Sequence, residues 1–228
     1  MTRSSIVLDN VFRRVTPSSG ISSIRDTAST FDYEKYVAKL MTSMEVSIRV
    51  DGKNRVDFPD LQQGFTTDGV PYQVYLTDRY VQGLSVIMRD YDVNVNEQSG
   101  QSINLTSLFR FPELEFTYTI VIIDQDAHDI TGSVDIEVED LVMNIGVTLD
   151  KESESSYQAS AGSVTVTNLG YYWSGLYSQE DIPEDLDSQI ESYLSDEFSS
   201  TLTVTLATSI KNYLEEAVKT VDPNVYVI

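Results

Sequence analysis

The chain has 228 residues, 41% of them hydrophobic, with 36 acidic against 15 basic side chains and a formal net charge of −21. That is enough apolar material for a substantial core, which excludes a chain disordered throughout, and enough negative charge to disfavour nucleic acid and anionic membrane surfaces as partners. Cysteine is absent, so disulfides, thiolate-zinc sites and cysteine nucleophiles are excluded; no stretch approaches the roughly 20 apolar residues of a membrane-spanning helix, and stable membrane insertion is not expected.

Residues 1–28 are rich in Ser, Thr and Arg with little periodicity and read as a flexible leader. A helix is expected from Ser29 or Thr30, where Ser29 and Asp32 stand at capping-box spacing. Tyr33, Tyr36, Val37, Leu40, Met41 and Met44 then make one stripe at 3–4 spacing. The Val46–Val50 tail alternates and reads as extended. Asp51-Gly52-Lys53 marks a turn, and Pro59 with Gln62-Gln63-Gly64 a loop.

From about Tyr72 to Asn168 the chain reads as strands. Val74 and Leu76 alternate with polar neighbours. Arg79 to Val86 follows, with Gly83 as the expected bulge. Val86 to Val95 continues extended, and Ile103, Leu105 and Leu108 form the next run. Residues 114–123, LEFTYTIVII, set Phe116, Tyr118, Ile120 and Ile122 on one face. After the polar turn Asp124–Asp129, a second long run reaches Leu149. Val134, Ile136 and Val138 share one phase there; Leu141, Met143, Ile145, Val147 and Leu149 share the other. A phase switch near Glu139-Asp140 predicts a bulge, which bends a long strand. Tyr157, Ala159 and Ala161 open the last strand.

The final segment changes period. Leu186, Ile190, Leu194, Phe198, Leu202, Leu206, Ile210, Leu214 and Val218 recur every four residues. Pro183 suits the first turn and Pro223 ends the helix. Thr201–Leu206 alternates like a strand, but the stripe runs through it unbroken, so it reads as helix. The order is helix, many strands, one very long helix. This predicts an α+β fold: a long curved antiparallel sheet wrapped around a long C-terminal helix, with a shorter N-terminal helix, as one domain over residues 29–228.

Chemistry-bearing motifs are few. Nucleotide loops, G-x-S-x-G and H-E-x-x-H are absent. His128 is the only imidazole, in a hairpin turn among acids, a poor setting for a shielded base. Asp124, Asp126, His128 and Asp129 have an oxygen-rich spacing, but the glycine a calcium loop needs is replaced by Asp129, and a charged turn is the simpler reading. Glu180-Asp181 and Glu215-Glu216 read as solvated surface. No enzyme activity, cofactor or metal is expected. Asn104 begins the only N-x-S/T sequon and is a possible glycosylation acceptor.

Several stretches resemble the arthropod tubular lipid-binding superfamily: group 7 mite allergens, takeout proteins and juvenile-hormone-binding proteins. These are Tyr80–Ser85 with its Gly-Leu step, Ile130–Val138 opening on a glycine, the hairpin Leu141–Leu149 to Ser163–Leu169, and the acidic helix from Pro183 to Val221. The resemblance covers roughly residues 30–222. It implies a super-roll that binds an apolar small molecule or lipid in a tunnel between sheet and long helix, in an extracellular setting with any signal peptide removed or outside the given sequence; the cytosol is the alternative. Absence of the N-terminal disulfide usual in takeout and hormone-binding members points toward the group 7 branch.

On that basis the candidate lining is Phe116, Tyr118, Ile120, Val134, Ile136, Leu194, Phe198, Leu202, Leu206 and Ile210. Each is also what an ordinary packed core would hold. The alternative is a structural or protein-interaction module with a filled core, such as a secreted matrix component, whose contact surface would be the leader and the aromatic cluster at 171–173. Ligand identity and oligomeric state are not encoded in any motif.

Overall fold

The computed structural model describes residues 2–6, 31–50, 52, 54–90, 92–98, 101–112, 114–126, 128–153, 155–178 and 182–228, apart from the side chains of 2–6, 135, 137, 139, 140, 172–178, 198 and 199. In chain order it comprises β1 (Thr2–Ile6), α1 (Tyr33–Val50), β2 (Arg55–Asp57), β3 (Leu61–Thr67), β4 (Val70–Gln82), β5 (Met88–Arg89), β6 (Asn94–Gln98), β7 (Ser102–Phe111), β8 (Leu114–Ile123), β9 (Asp129–Ser153) and β10 (Ser156–Ser178). The long C-terminal helix follows as α2 (Glu184–Glu197), a π-helical turn (Phe198–Leu202) and α3 (Thr203–Thr220), then a short 3-10 turn (Pro223–Tyr226).

Asp32 caps α1: its Oδ1 accepts from the Lys35 amide at 3.1 Å. The expected Ser29 cap lies outside the described residues. The Val46–Val50 tail is helical rather than extended, because Met44 and Ile48 carry the buried stripe of Tyr36, Val37 and Leu40 one turn further. Within the stretch read as a leader, Thr2–Ile6 is a strand, antiparallel to β10 from Thr2↔Trp173 to Ile6↔Leu169; residues 7–28 lie outside the description.

The ten-stranded sheet is built on the long β9–β10 hairpin. Along β9 the neighbour changes. β8 pairs with its first half, ending at Leu114↔Val138, and β7 with its second half, ending at Phe111↔Leu141. On the β10 side the register skips one residue, from Tyr171↔Val138 to Gly170↔Asp140. Glu139 is therefore the extra residue at the expected phase switch, and Val138 and Leu141 are both buried on either side of it.

A bulge inside β4 was expected at Gly83 but falls earlier. Thr77 pairs with Thr119 and Tyr80 with Thr117, so Asp78 and Arg79 together face Tyr118. Asp78 adopts φ 48°, a left-handed conformation that Asp tolerates better than most residues. The bulge flips the inward phase from Val74 and Leu76 to Arg79 and Val81. Gly83, the expected bulge, instead lies just past the end of β4 at φ 98°. In β7 the inward set is Ile103, Leu105, Ser107, Phe109 and Phe111, so Leu108 faces the other way.

The π turn keeps the stripe in register in mid-helix. Leu194 and Leu202 are eight residues apart. In an α-helix that gap would rotate the stripe by about 80° past two turns. One i→i+5 turn takes up roughly one residue and returns Leu202 to the core side. Beyond it, steps of four still drift by about 40° each. The buried set therefore passes from Leu206, Ile210 and Leu214 to Tyr213, Ala217 and Val221, leaving Val218 only half-buried. Both helical layers and the inner sheet face close on one continuous apolar core.

Candidate functional site at the seam of the long helix and the sheet

Nine of the ten candidate lining residues are buried in that one core. Phe116, Ile120, Val134, Leu206 and Ile210 have no exposed surface, and Tyr118, Ile136, Leu194 and Leu202 almost none. The side chain of Phe198, in the π turn, lies outside the description. Where α1, α3, β7 and β9 meet, the interior void is about 10 Å³, no more than the space of one water. This part of the core is filled.

Open apolar space lies beside it. A groove of about 350 Å³ runs between the first turns of α3 and β10, lined by Val164, Thr165, Val166, Thr203, Val204, Ala207, Thr208 and Lys211. Its position follows from the strand. β10 shifts register against β9 between Ala161 and Val164 and again between Val166 and Asn168. The groove sits on the stretch bracketed by those two bulges. At the first, the backbones of Gly146 and Gly162 approach so closely that a Cβ on Gly162 would lie 3.0 Å from the carbonyl group of Gly146. On the helix wall Val204 is 65% exposed, a large apolar side chain left open to solvent. The Thr208 hydroxyl is tied back to the Val204 carbonyl at 2.8 Å. None of the nine expected residues whose side chains are described lines this groove.

The β4 bulge delivers a charged group to the interior. Arg79 is 3% exposed. Its Nη1 donates to the Pro59 carbonyl at 2.5 Å, and Nη2 lies 3.7 Å from Oε1 of Glu197, the last residue of α2. The guanidinium carbon stands 5.3 Å from the Tyr118 ring and 5.9 Å from the Phe58 ring. Burial pushes the Tyr118 phenol up to about 12, with the Arg79 charge pulling against it.

The polar motifs fall elsewhere. The imidazole of His128 is 77% exposed, its Nδ1 3.3 Å from Asp124. Asp124 Oδ1 accepts from the amides of Asp126 at 2.8 Å and His128 at 3.0 Å. These bonds hold the carboxyl below its ordinary range, the His128 amide foremost. The arrangement is an Asx-type hairpin turn, and no His, Asp or Glu cluster among the described residues could hold a metal ion. Glu216 accepts from the Ser47 hydroxyl at 3.2 Å and so ties α3 to α1; Glu180 and Asp181 lie outside the description. Asn104 stands in mid-strand on β7, between β6 and β9, with its Oδ1 accepting from Thr148 at 3.0 Å rather than projecting from a loop. The leader strand and the aromatic cluster at 171–173, two stretches named as contact surface, pair with each other from Thr2↔Trp173 to Ser4↔Tyr171.

No family model matches the chain, and no curated protein matches it. Among solved structures it is similar to a lipopolysaccharide binding protein, at 15% identity and a TM-score of 0.48, with 83% of this chain aligned to 38% of that one. It is also similar to Takeout 1 of Epiphyas postvittana, at 12% identity and a TM-score of 0.31, with 82% of this chain aligned to 90% of that one. The second belongs to a group the residues resemble. At these scores the likeness adds nothing to what strand order and helices show directly.

Proposed function

We propose that the chain is a non-enzymatic carrier of a hydrophobic small molecule or lipid, held at the seam between the long helix and the sheet. The observation that carries this reading is the groove of about 350 Å³ with Val164, Val166, Val204 and Ala207 on its walls. Its size falls in the range of small-molecule sites, which are mostly apolar with a few polar groups; here the hydroxyls and Lys211 would be those groups. An apolar ligand laid there gains about 25 cal/mol for each Å² it buries, and covers an exposed valine that the fold leaves uncovered.

The test is native mass spectrometry of gently purified protein, together with binding of the neutral fluorophore Nile red and its displacement by long-chain lipids. A co-purifying lipid or saturable displacement is the expected result. Absence of both would sink the carrier reading. The second reading, an interaction module, is favoured by the filled core around Leu40, Phe109 and Leu214. It predicts that Nile red does not bind and that substitutions in the groove alter only association with a protein partner.

A further inference from the structure

The charge along the long helix changes sign where the groove begins. α2 carries Glu184, Asp185, Asp187, Glu191, Asp196 and Glu197 and no basic residue. From Phe198 to Leu214 the only charged side chain is Lys211. Across the groove, β10 has no charged residue from Ser156 to Ser178. The lining therefore holds one charge, and it is positive, in a chain of net −21. At physiological salt, charges more than about 8 Å away are largely screened, so Lys211 sets the sign that a ligand meets there. Its place on the wall is defined by the helix. Val204, Ala207 and Lys211 stand at i, i+3 and i+7, one line along α3. From Thr203 to Lys211 that wall runs about 12 Å, with the lysine at its C-terminal end. The two hydroxyls of the wall already donate to helix carbonyls, Thr203 to Ser200 at 3.3 Å and Thr208 to Val204 at 2.8 Å. Lys211 is exposed and makes no ion pair among the described residues. A lysine so placed lays its methylene stem along apolar surface and keeps its ammonium in water at the rim.

From this we infer that the groove binds an amphiphile with a single negative charge at one end, its head on the Lys211 ammonium and its tail along Ala207 and Val204 against Val164 and Val166. The inference rests on the carrier reading of the preceding subsection and names its ligand class. Size follows from the space: at the volume of one water per non-hydrogen atom, 350 Å³ holds about a dozen such atoms, which is a small acidic head and a chain of about ten carbons. The net charge of the whole chain by itself favours a cationic amphiphile. In the groove that cation meets the one charge of its own sign, so the local and the global charge make opposite predictions.

The experiment displaces Nile red from the full-length protein with decanoate and with decylamine, equal chains with opposite heads, at physiological salt and neutral pH. The wild-type protein is expected to bind decanoate more tightly. Lys211→Glu takes a surface ion pair, worth a factor of about 2 to 5, from the anion and gives one to the cation, so the decanoate-to-decylamine affinity ratio should fall roughly 10-fold. Lys219→Glu makes the same change in net charge about 12 Å further along α3, outside the groove, and should move the ratio less than about twofold. Should Lys211→Glu fail to fold by circular dichroism, Lys211→Gln decides, with an expected fall of about 2- to 5-fold. Decylamine binding as tightly as decanoate in the wild type, or a ratio that the Lys211 variant leaves in place or that Lys219→Glu shifts as far, overturns the role of Lys211 while leaving the carrier reading intact. Failure of Nile red and both amphiphiles to bind removes the carrier reading, and this inference with it.

Discussion

Filling the groove separates ligand binding from stability. Ala207 lies half-buried on the helix wall, facing Val164 and Val166 across open space. At ~30 Å³ of liquid per water, 350 Å³ corresponds to about a dozen waters. A tryptophan at 207 has room to lie in it. An indole buries about 150 Å² or more, so Ala207→Trp denies a ligand apolar contact worth about 4 kcal/mol at 25 cal/mol per Å². That is close to a thousandfold in Kd. The same contact now falls within the protein, so the melting temperature should hold or rise by a few degrees. Nile red titration and thermal unfolding by circular dichroism on one preparation read both effects. Val46→Trp, at an exposed position on α1, is the control. Wild-type affinity in Ala207→Trp would refute the groove as the site, and a large drop in melting temperature would refute its being open space.

Three further outcomes follow from the geometry. Gly162→Ala places a methyl 3.0 Å from the Gly146 carbonyl group, so the β9–β10 pair must part; the expected cost is about 1–3 kcal/mol in urea unfolding. Deleting Ser200 from the π turn should restore α geometry with Leu202 still inward, because the remaining seven residues from Leu194 complete about two turns; deleting Ser209 rotates Ile210 and Leu214 away from the core by about 100° and should abolish cooperative unfolding. Asp124 is held below its ordinary 3.8 by the amides it accepts from, so its contribution to the hairpin is complete above that value and is lost as pH falls through the lower folded value. Amide exchange at Asp126 and His128 should accelerate on acidification in the wild type and show no such step in Asp124→Asn.

Much of the architecture was legible because it is written in local period. The stripe from Leu186 to Leu214 and the phase switch around Glu139 need only neighbours in sequence. The π turn was not legible, because Leu186 to Leu194 and Leu206 to Leu214 repeat the same eight-residue step in plain α-helix and stay buried. The β4 bulge left a trace, with Val74 and Leu76 in one phase and Val81 in the other. It went unread because the residue between them in the new inward phase is an arginine, which composition assigns to solvent. The groove left no trace. It is open space between one stretch of β10 and the first turns of α3, at two bulges in β10 whose register depends on β9, and no stretch of neighbouring residues records it. Period likewise placed nine of the ten expected lining residues on the covered face, where they are buried; it reports which face is covered, not whether the cover leaves space.

The covering helix follows all the described strands in the chain. During synthesis, α1 and all ten strands leave the ribosome before residues 184–220 do. Until then the inner face of β7–β10, from Phe109 to Tyr171, has only α1 to shield it. Such surfaces aggregate when exposed. A chain stopped after Ser178 should therefore accumulate as insoluble material, and supplying residues 182–228 as a separate peptide during refolding should recover soluble protein. The interval between sheet and helix is also the one moment when that inner face is open to a lipid.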